Sequence, residues 1–204
     1  MAIPEVRYLA LGDSYTIGTG VGADRSFPAR LSERWRSRGL RVELLNVAVN
    51  GYTTDDLIRE ELSRVSAFGA TLTSLLIGAN DIVVGRDAET FRSRLRAILA
   101  SLRTDGVETR RLIVVSAPDW SGAPQAARFG DPARVARVVD AFAAVAREEA
   151  ERVGARFFDI VPLSRSNTER GMFANDRLHF SADAYVEWAD AIDAALAAAG
   201  LPTG

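Results

Sequence analysis

Five short apolar segments, each followed by a segment with helical periodicity, constrain the fold of this chain more than any other feature. The predicted strands lie at 8–11, 41–47, 72–77, 111–117 and 155–160, and the predicted helices at 26–38, 53–68, 88–103, 131–153 and 181–200. Because parallel strands need a crossover between them, this alternation predicts a mainly parallel sheet covered on both faces. We therefore expect a three-layer α/β/α sandwich whose five strands have the flavodoxin-like order 2-1-3-4-5.

The chain length and the aperiodic segments add to this prediction. The 204 residues suffice for one domain of this type, and we expect a single domain over residues 1–204. The longest stretch without periodicity lies at 161–180, and such stretches in compact domains are often functional. We expect the loops at 81–87, 118–131 and 162–175 to border a binding site.

The composition excludes several classes of function. The chain has no lysine, which excludes Schiff-base enzymes and Walker-type nucleotide loops, and no cysteine, which excludes thiolate nucleophiles, disulfides and Cys-ligated metals. Its formal net charge of -2 provides no positive field for phosphate backbones, so we expect no nucleic-acid partner. We expect neither a metal nor another cofactor.

The ends and the apolar runs of the sequence bear on location. The chain enters its first predicted strand without the charged and apolar regions of a secretion signal, which favours a cytoplasmic location. No apolar run approaches the roughly 20 residues that a membrane span needs, so no transmembrane segment is expected. The sequence leaves the oligomeric state open.

Polar residues follow four of the five predicted strands. Ser14 follows the first strand, within the stretch VRYLALGDSYTIGTG, Gly51 follows the second and Asn80 the third, and the segment DRLH, with Asp176 and His179, follows the fifth. Because parallel strands end at one edge of a sheet, where ligands bind in folds of this type, these residues are expected to converge. Taken singly, each also fits an ordinary turn or helix entry.

These residue types together favour acyl transfer. His179 is the only histidine, so an imidazole general base can only be this residue. Asp176, three residues earlier, can orient the imidazole, and Ser14 can then act as the nucleophile of a Ser-His-Asp arrangement. The Ser14 N–H, the Gly51 N–H and the Asn80 side-chain amide are candidate donors to the oxyanion. The predicted activity is hydrolysis of a small-molecule ester or acyl substrate.

Four short motifs in chain order resemble the four blocks of the SGNH hydrolases, also called the GDSL lipase/esterase family. They are GDSY at 12–15, Gly51 as the glycine of NVAVNG, GAND at 78–81 and DRLH at 176–179. The resemblance implies the flavodoxin-like SGNH hydrolase fold, with Ser14 as nucleophile and oxyanion donor, Gly51 and Asn80 as further donors, His179 as base and Asp176 as its orienting acid. The chain looks most similar to small single-domain bacterial lysophospholipase/thioesterase-like esterases.

Three positions depart from the family pattern. Tyr15 replaces the leucine of the GDSL name and is expected to pack behind the nucleophile. Asn50 stands where a serine often precedes the glycine, and it bears on local hydrogen bonding. Phe180 replaces a proline and is expected to reshape the pocket wall.

Two other functions remain open at this point. The same residues would serve a carbohydrate O-acetyl esterase, for which Trp120 is the only tryptophan in a predicted site loop. A flavodoxin-like binding module could hold FMN on the segment SYTIGTG, whereas a receiver-type module would need a lysine that the chain lacks. The sequence does not distinguish ester, thioester and lysophospholipid substrates.

Overall fold

Residues 5–202 are described by a computed structural model, and they form a five-stranded parallel sheet with helices on both faces. The strands are β1 (Glu5–Gly12), β2 (Arg41–Asn46), β3 (Leu72–Leu76), β4 (Leu112–Val115) and β5 (Arg156–Phe158). Their order across the sheet is β2-β1-β3-β4-β5. The predicted architecture and strand order are therefore confirmed.

The central strands are buried on both faces because their apolar residues are nearly continuous. Every residue of β3 and β4 is buried, as is β1 from Tyr8 to its end. The edge strand β5 is only half-buried and pairs with β4 over three residues, so it is shorter than the predicted segment at 155–160.

Nine helices surround the sheet within residues 5–202, and none of them has the length and apolar character to span a membrane. The longer ones are α2 (Phe27–Ser37), α6 (Ala88–Thr104), α7 (Pro132–Val153) and α9 (Ala182–Ala198). The shorter ones are α1 (Ser14–Ile17), α3 (Thr54–Asp56), α4 (Val65–Phe68), α5 (Ala79–Val83) and α8 (Val161–Glu169).

Helix α8 contradicts the prediction of an aperiodic stretch at 161–180. Its inward-facing residues are Val161, Ser164 and Asn167, which recur at helical spacing, but two of the three are polar. The Asn167 side-chain oxygen accepts a hydrogen bond from Trp188 Nε1 at 2.8 Å. The Ser164 hydroxyl donates to the Val161 carbonyl at 2.8 Å and accepts from the Asp119 N–H at 2.8 Å. Hydrogen bonds thus replace apolar contacts, which hides the helix from hydrophobic periodicity.

Buried carboxylates join the helices in pairs outside the sheet. Glu149 of α7 accepts hydrogen bonds from Arg92 and Arg96 of α6 at 2.9 and 3.0 Å. Asp193 of α9 accepts from Trp35 Nε1 of α2 at 2.9 Å and also pairs with Arg38. These charged groups are buried with partners, as buried ions must be, and they fix the two outer layers.

The segment predicted as one helix at 53–68 is an interrupted one. Thr53 begins it with a capping box, in which its side chain and that of Asp56 bond each other's backbone N–H. Between α3 and α4 the backbone forms a π-helical turn at Leu57–Glu61 and a 3₁₀ turn at Leu62–Arg64. A π turn accommodates an extra residue, and here it turns the carboxyl of Glu61 into the protein.

Candidate active site

The turn after β1 places Ser14 at the first residue of α1. Asp13 caps this helix, since its Oδ1 accepts a hydrogen bond from the Tyr15 N–H at 3.0 Å. Gly12 has a φ of 148°, and an added Cβ would lie 2.0 Å from the Leu76 carbonyl oxygen. Only glycine therefore allows the strand to turn this closely against β3.

The turns after β2 and β3 hold the two other predicted donors. Asn80 Nδ2 donates to the Tyr52 carbonyl at 2.9 Å, which fixes the amide and uses one of its two N–H donors. Gly51 has a φ of 86°, and within residues 5–202 an added Cβ would meet no atom within 4 Å beyond its chain neighbours. The backbone conformation, not crowding by the protein, explains the glycine. Asn50 accepts a bond from the Thr19 hydroxyl at 3.3 Å.

The DRLH segment forms a tight turn that joins Asp176 to His179. Asp176 Oδ2 lies 2.6 Å from His179 Nδ1, and Oδ1 accepts the backbone N–H groups of Leu178 and His179 at 3.0 Å each. Arg177 between them has a φ of 59°, a conformation that non-glycine residues rarely adopt. The predicted pairing of carboxylate and imidazole is therefore present.

The environment of Asp176 favours its charged form. Partial burial opposes ionisation, but the hydrogen bonds from the Leu178 N–H and from the side chain and N–H of His179 outweigh it and lower the pKa of the Asp176 carboxyl. An ionised carboxylate at Nδ1 holds the ring proton on that nitrogen and leaves Nε2 free to accept one.

A cleft of about 260 Å³ brings the predicted residues together. No Asp, Glu or Arg side chain lines this cleft. Its lining residues are Ser14, Tyr15, Asn50, Gly51, Ala79, Asn80, Val83, Trp120, Phe129, Leu178 and His179. Asp176 is not among them, since it contacts the imidazole from the other side. The arrangement offers a hydroxyl, an imidazole and amide donors to one apolar space.

Two of the three predicted site loops contribute to this lining. The loop at 81–87 contributes Val83, and the loop at 118–131 contributes Trp120 and Phe129, whose rings meet edge to face at 6.2 Å. The loop at 162–175 contributes no lining residue, because much of it is taken up by α8. Leu178, next to the histidine, lines the cleft instead.

The departures from the family pattern have different consequences in the structure. Tyr15 lines the cleft, and its ring centroid lies 5.3 Å from that of His179, so the residue that follows Ser14 packs against the imidazole. Phe180 does not line the cleft itself, so any effect on the pocket wall passes through Tyr15, whose ring centroid lies 6.1 Å from that of Phe180. Phe180 is fully buried behind the cleft against Phe173 and Trp188.

Gly20 packs directly against the Asp176 and His179 pair, a contact that no sequence pattern predicts. An added Cβ there would lie 2.8 Å from Ala174 Cβ and 3.1 Å from Asp176 Oδ2. Three glycines in five residues, at 18, 20 and 22, indicated only a loose loop. The close approach depends on a segment more than 150 residues away, which no local pattern reveals.

Three buried carboxyl groups lie beneath the Ser14 turn. Asp81 accepts hydrogen bonds from the Thr54 N–H at 2.9 Å and the Thr54 hydroxyl at 2.6 Å, and it pairs with Arg86. Glu61 Oε2 accepts from the Gly12 N–H at 2.9 Å, whereas Asp13 Oδ2 and Glu61 Oε1 have no partner within residues 5–202. Among residues 5–202, Asp81 is the only one of the three that pairs directly with an arginine.

Burial raises the pKa of two of these groups. It raises the pKa of Asp13 to about 7, helped by the nearby charge of Asp81 and opposed by the hydrogen bond from the Tyr15 N–H. It raises the pKa of Glu61 to about 8, opposed by the bond from the Gly12 N–H and helped by the charge of Asp13.

We expect the free energy of unfolding to fall as the pH rises from about 4 to about 8 through these two groups. Both carboxyls have a higher pKa in the folded than in the unfolded chain, so the folded chain keeps protons that the unfolded chain has lost. Their stabilising contribution is complete below the unfolded pKa values and is lost as the pH passes the folded ones, with a slope of up to about 1.4 kcal/mol per pH unit for each group.

Denaturant unfolding across this pH range measures the effect, and Glu61→Gln should reduce it because one titrating group is removed. A wild-type free energy of unfolding that rises steadily over the same range, with the same slope in Glu61→Gln, would contradict the expectation.

Comparison with known proteins points to one family. Residues 10–186 match the model of the GDSL-like Lipase/Acylhydrolase family. The fold is similar to that of TesA (18% identity, 93% of this chain and 97% of that one, TM-score 0.75) and of the lipase/acylhydrolase from Enterococcus faecalis (21%, 95% and 96%, TM-score 0.74). It is also similar to Axe2, an acetylxylan esterase from Geobacillus stearothermophilus (21%, 94% and 94%, TM-score 0.71). No curated protein matches the sequence.

Proposed function

The chain belongs to the GDSL-like lipase/acylhydrolase family, and from this premise we propose that it hydrolyses carboxylic esters with Ser14 as the nucleophile. The observation that carries the proposal is the convergence of Ser14, Gly51, Asn80 and His179 on one uncharged cleft, with Asp176 at His179 Nδ1. Each residue has an ordinary structural explanation alone, but acyl transfer needs all of them at one place.

In the proposed reaction, His179 Nε2 takes the proton of the Ser14 hydroxyl while Ser14 Oγ attacks the acyl carbon. The Ser14 N–H, the Gly51 N–H and the free N–H of Asn80 donate to the oxygen that becomes negative. His179 then returns the proton to the departing alcohol, which leaves an acyl-enzyme. Water enters and repeats the steps, so that the carboxylic acid leaves and Ser14 is restored.

The cleft walls favour an apolar acyl group. Val83 and Phe129 are 39% and 40% exposed although they are large and hydrophobic, and both line the cleft. Val84, which follows Val83 in the chain, is 60% exposed. Apolar side chains collected at a cleft without charged residues are typical of a site that buries a hydrocarbon chain. We therefore propose an ester with an acyl chain longer than acetyl.

A fluorophosphonate probe tests the nucleophile, since it phosphonylates only a serine that a base has activated. We expect one labelled peptide, and it should contain Ser14. Heat-denatured protein is the control and should not react, because the Ser-His-Asp arrangement exists only in the folded chain. A label on any other peptide would contradict the proposal.

A panel of p-nitrophenyl esters of graded acyl length, with an acyl thioester, a lysophospholipid and an acetylated xylooligosaccharide, then identifies the substrate class. We expect kcat/KM to rise from acetyl to longer acyl chains. A preference for the acetylated xylooligosaccharide would instead favour a carbohydrate O-acetyl esterase, and the buried position of Trp120, 2% exposed, gives that outcome little support from sugar stacking.

A further inference from the structure

Glu61 contacts the Ser14 turn from a different part of the chain. The residue ends the π turn at Leu57–Glu61 and is only 1% exposed. Its Oε2 accepts a hydrogen bond from the Gly12 N–H at 2.9 Å, two residues before Ser14. A buried carboxyl group without a directly bonded cation is costly, so its presence here needs a reason beyond packing.

The Gly12 N–H needs this partner because of where β2 ends. The parallel pairing of β1 with β2 stops at Ala10 and Asn46, whereas β1 continues to Gly12. The chain after β2 still donates its Val49 N–H to the Gly12 carbonyl at 3.3 Å, but it offers no acceptor for the Gly12 N–H. Glu61 supplies that acceptor and so satisfies the backbone N–H of Gly12, the last residue of β1 before the Ser14 turn.

The segment that ends in Glu61 also touches the two other proposed oxyanion donors. It begins at Gly51, its Tyr52 carbonyl accepts from the Asn80 amide, and Thr54 bonds Asp81 beside Asn80. Segment 51–61 is thus bonded to the turn after β3 at one end and to the turn after β1 at the other. Glu61 is its contact with the Ser14 turn.

We propose that Glu61 is a positioning residue, which holds the Ser14 turn in register with the Gly51 and Asn80 donors. The proposal rests on the proposed function, since the register matters only if these groups share one oxyanion. Glu61 acts through Gly12 and does not touch the substrate, so it should affect the rate of the chemical step and not substrate binding.

Substitutions of Glu61 distinguish loss of the hydrogen-bond acceptor for the Gly12 N–H from loss of the ionisable carboxyl group. Glutamine keeps a carbonyl oxygen for the Gly12 N–H, so Glu61→Gln should retain kcat near the wild-type value. Glu61→Leu removes the acceptor at similar size, and we expect kcat to fall on the order of 10-fold to 100-fold with KM unchanged, because a small displacement of a reacting group has such an effect. Glu61→Met, which is unbranched, is a second apolar variant and should behave alike.

Glu149→Leu is the matched control for stability. Glu149 is also a 1% exposed carboxylate, but it bonds arginines of α6 and α7 and lies outside the cleft. We expect its loss to lower the Tm while kcat of the folded protein is unchanged. Hydrogen exchange at the Gly12 amide, relative to Leu11, should accelerate in the Glu61 apolar variants and not in Glu149→Leu.

The outcomes distinguish this inference from the proposed function. Apolar variants at 61 that fold and keep wild-type kcat would overturn it, as would a Glu61→Gln variant as slow as Glu61→Leu. If neither apolar variant folds, Glu61→Gln decides the question. A Glu61→Gln protein that keeps full kcat although its Gly12 amide exchanges fast would overturn the positioning role. If fluorophosphonate misses Ser14, the proposed function fails, whereas unchanged Gly12 exchange would remove the positioning role alone.

Discussion

Replacing Ser14 with alanine should lower kcat for ester hydrolysis by about 10⁶-fold, the largest effect that we expect from any single substitution. Ser14 is the only serine or threonine among the residues that line the cleft, so the change removes its one aliphatic hydroxyl and no acyl-enzyme can form. The backbone N–H of residue 14 and the apolar walls remain, so a small rate above that in water should survive. Steady-state hydrolysis of the best p-nitrophenyl ester measures the loss.

Ser32→Ala is the matched control for this experiment. Ser32 is also fully buried and loses the same hydroxyl, but it lies in α2 and donates to the Pro28 carbonyl at 2.8 Å. Its variant should keep kcat. A Ser14→Ala protein that is folded by circular dichroism and hydrolyses the ester within tenfold of wild type would show that another group is the nucleophile.

The fold was predictable from the sequence because each unit carries its own signal. Long helices such as α7 carry sequence signals at both ends, here Asp131 as the N-cap, Pro132 as the first helical residue and Gly154 after the last turn. The prediction failed where polar contacts replace apolar ones, as at Ser164 and Asn167 in α8. It also failed to foresee the π turn at Leu57–Glu61, since Ile58, Leu62 and Val65 fit the spacing of an ordinary α-helix.

The positions of the site residues were predictable to the extent that parallel topology determines them. Ser14, Gly51 and Asn80 follow strands that lie side by side in the order β2-β1-β3, so their convergence follows from the sheet alone. The supporting residues were not predictable. Glu61 and Gly20 act through contacts with residues 49 and more than 150 positions away, and nothing in their local sequence indicates those contacts.

The residues that support the cleft differ from those that line it, because several of them are buried carboxyl groups. No Asp, Glu or Arg side chain lines the cleft itself, whereas the buried carboxyls of Asp13, Glu61 and Asp81 lie one layer beneath it. Carboxyl oxygens there bond backbone N–H groups of turns, which fixes loops that have few apolar side chains to pack. The cost is the desolvation seen in the raised pKa values of Asp13 and Glu61.

Asp176→Asn should lower kcat by about 10⁴-fold while leaving the fold intact. The reason lies in the two backbone N–H groups, of Leu178 and His179, that Asp176 Oδ1 accepts. An asparagine must keep its carbonyl oxygen toward these donors, so its NH₂ group faces His179 Nδ1 in place of Oδ2. Nδ1 then has to accept, the ring proton moves to Nε2, and Nε2 can no longer take the proton of Ser14.

Because His179 is the only histidine, NMR of its ring nitrogens reports this tautomer without ambiguity. We expect the proton on Nδ1 in the wild type and on Nε2 in Asp176→Asn, with KM little changed. Asp131→Asn is the matched control, since Asp131 caps α7 and asparagine caps a helix equally well. Wild-type kcat in Asp176→Asn together with the Nε2 tautomer would remove His179 as the general base, whereas reduced kcat with the Nδ1 tautomer would mean that Asp176 acts by its charge and not by orienting the ring.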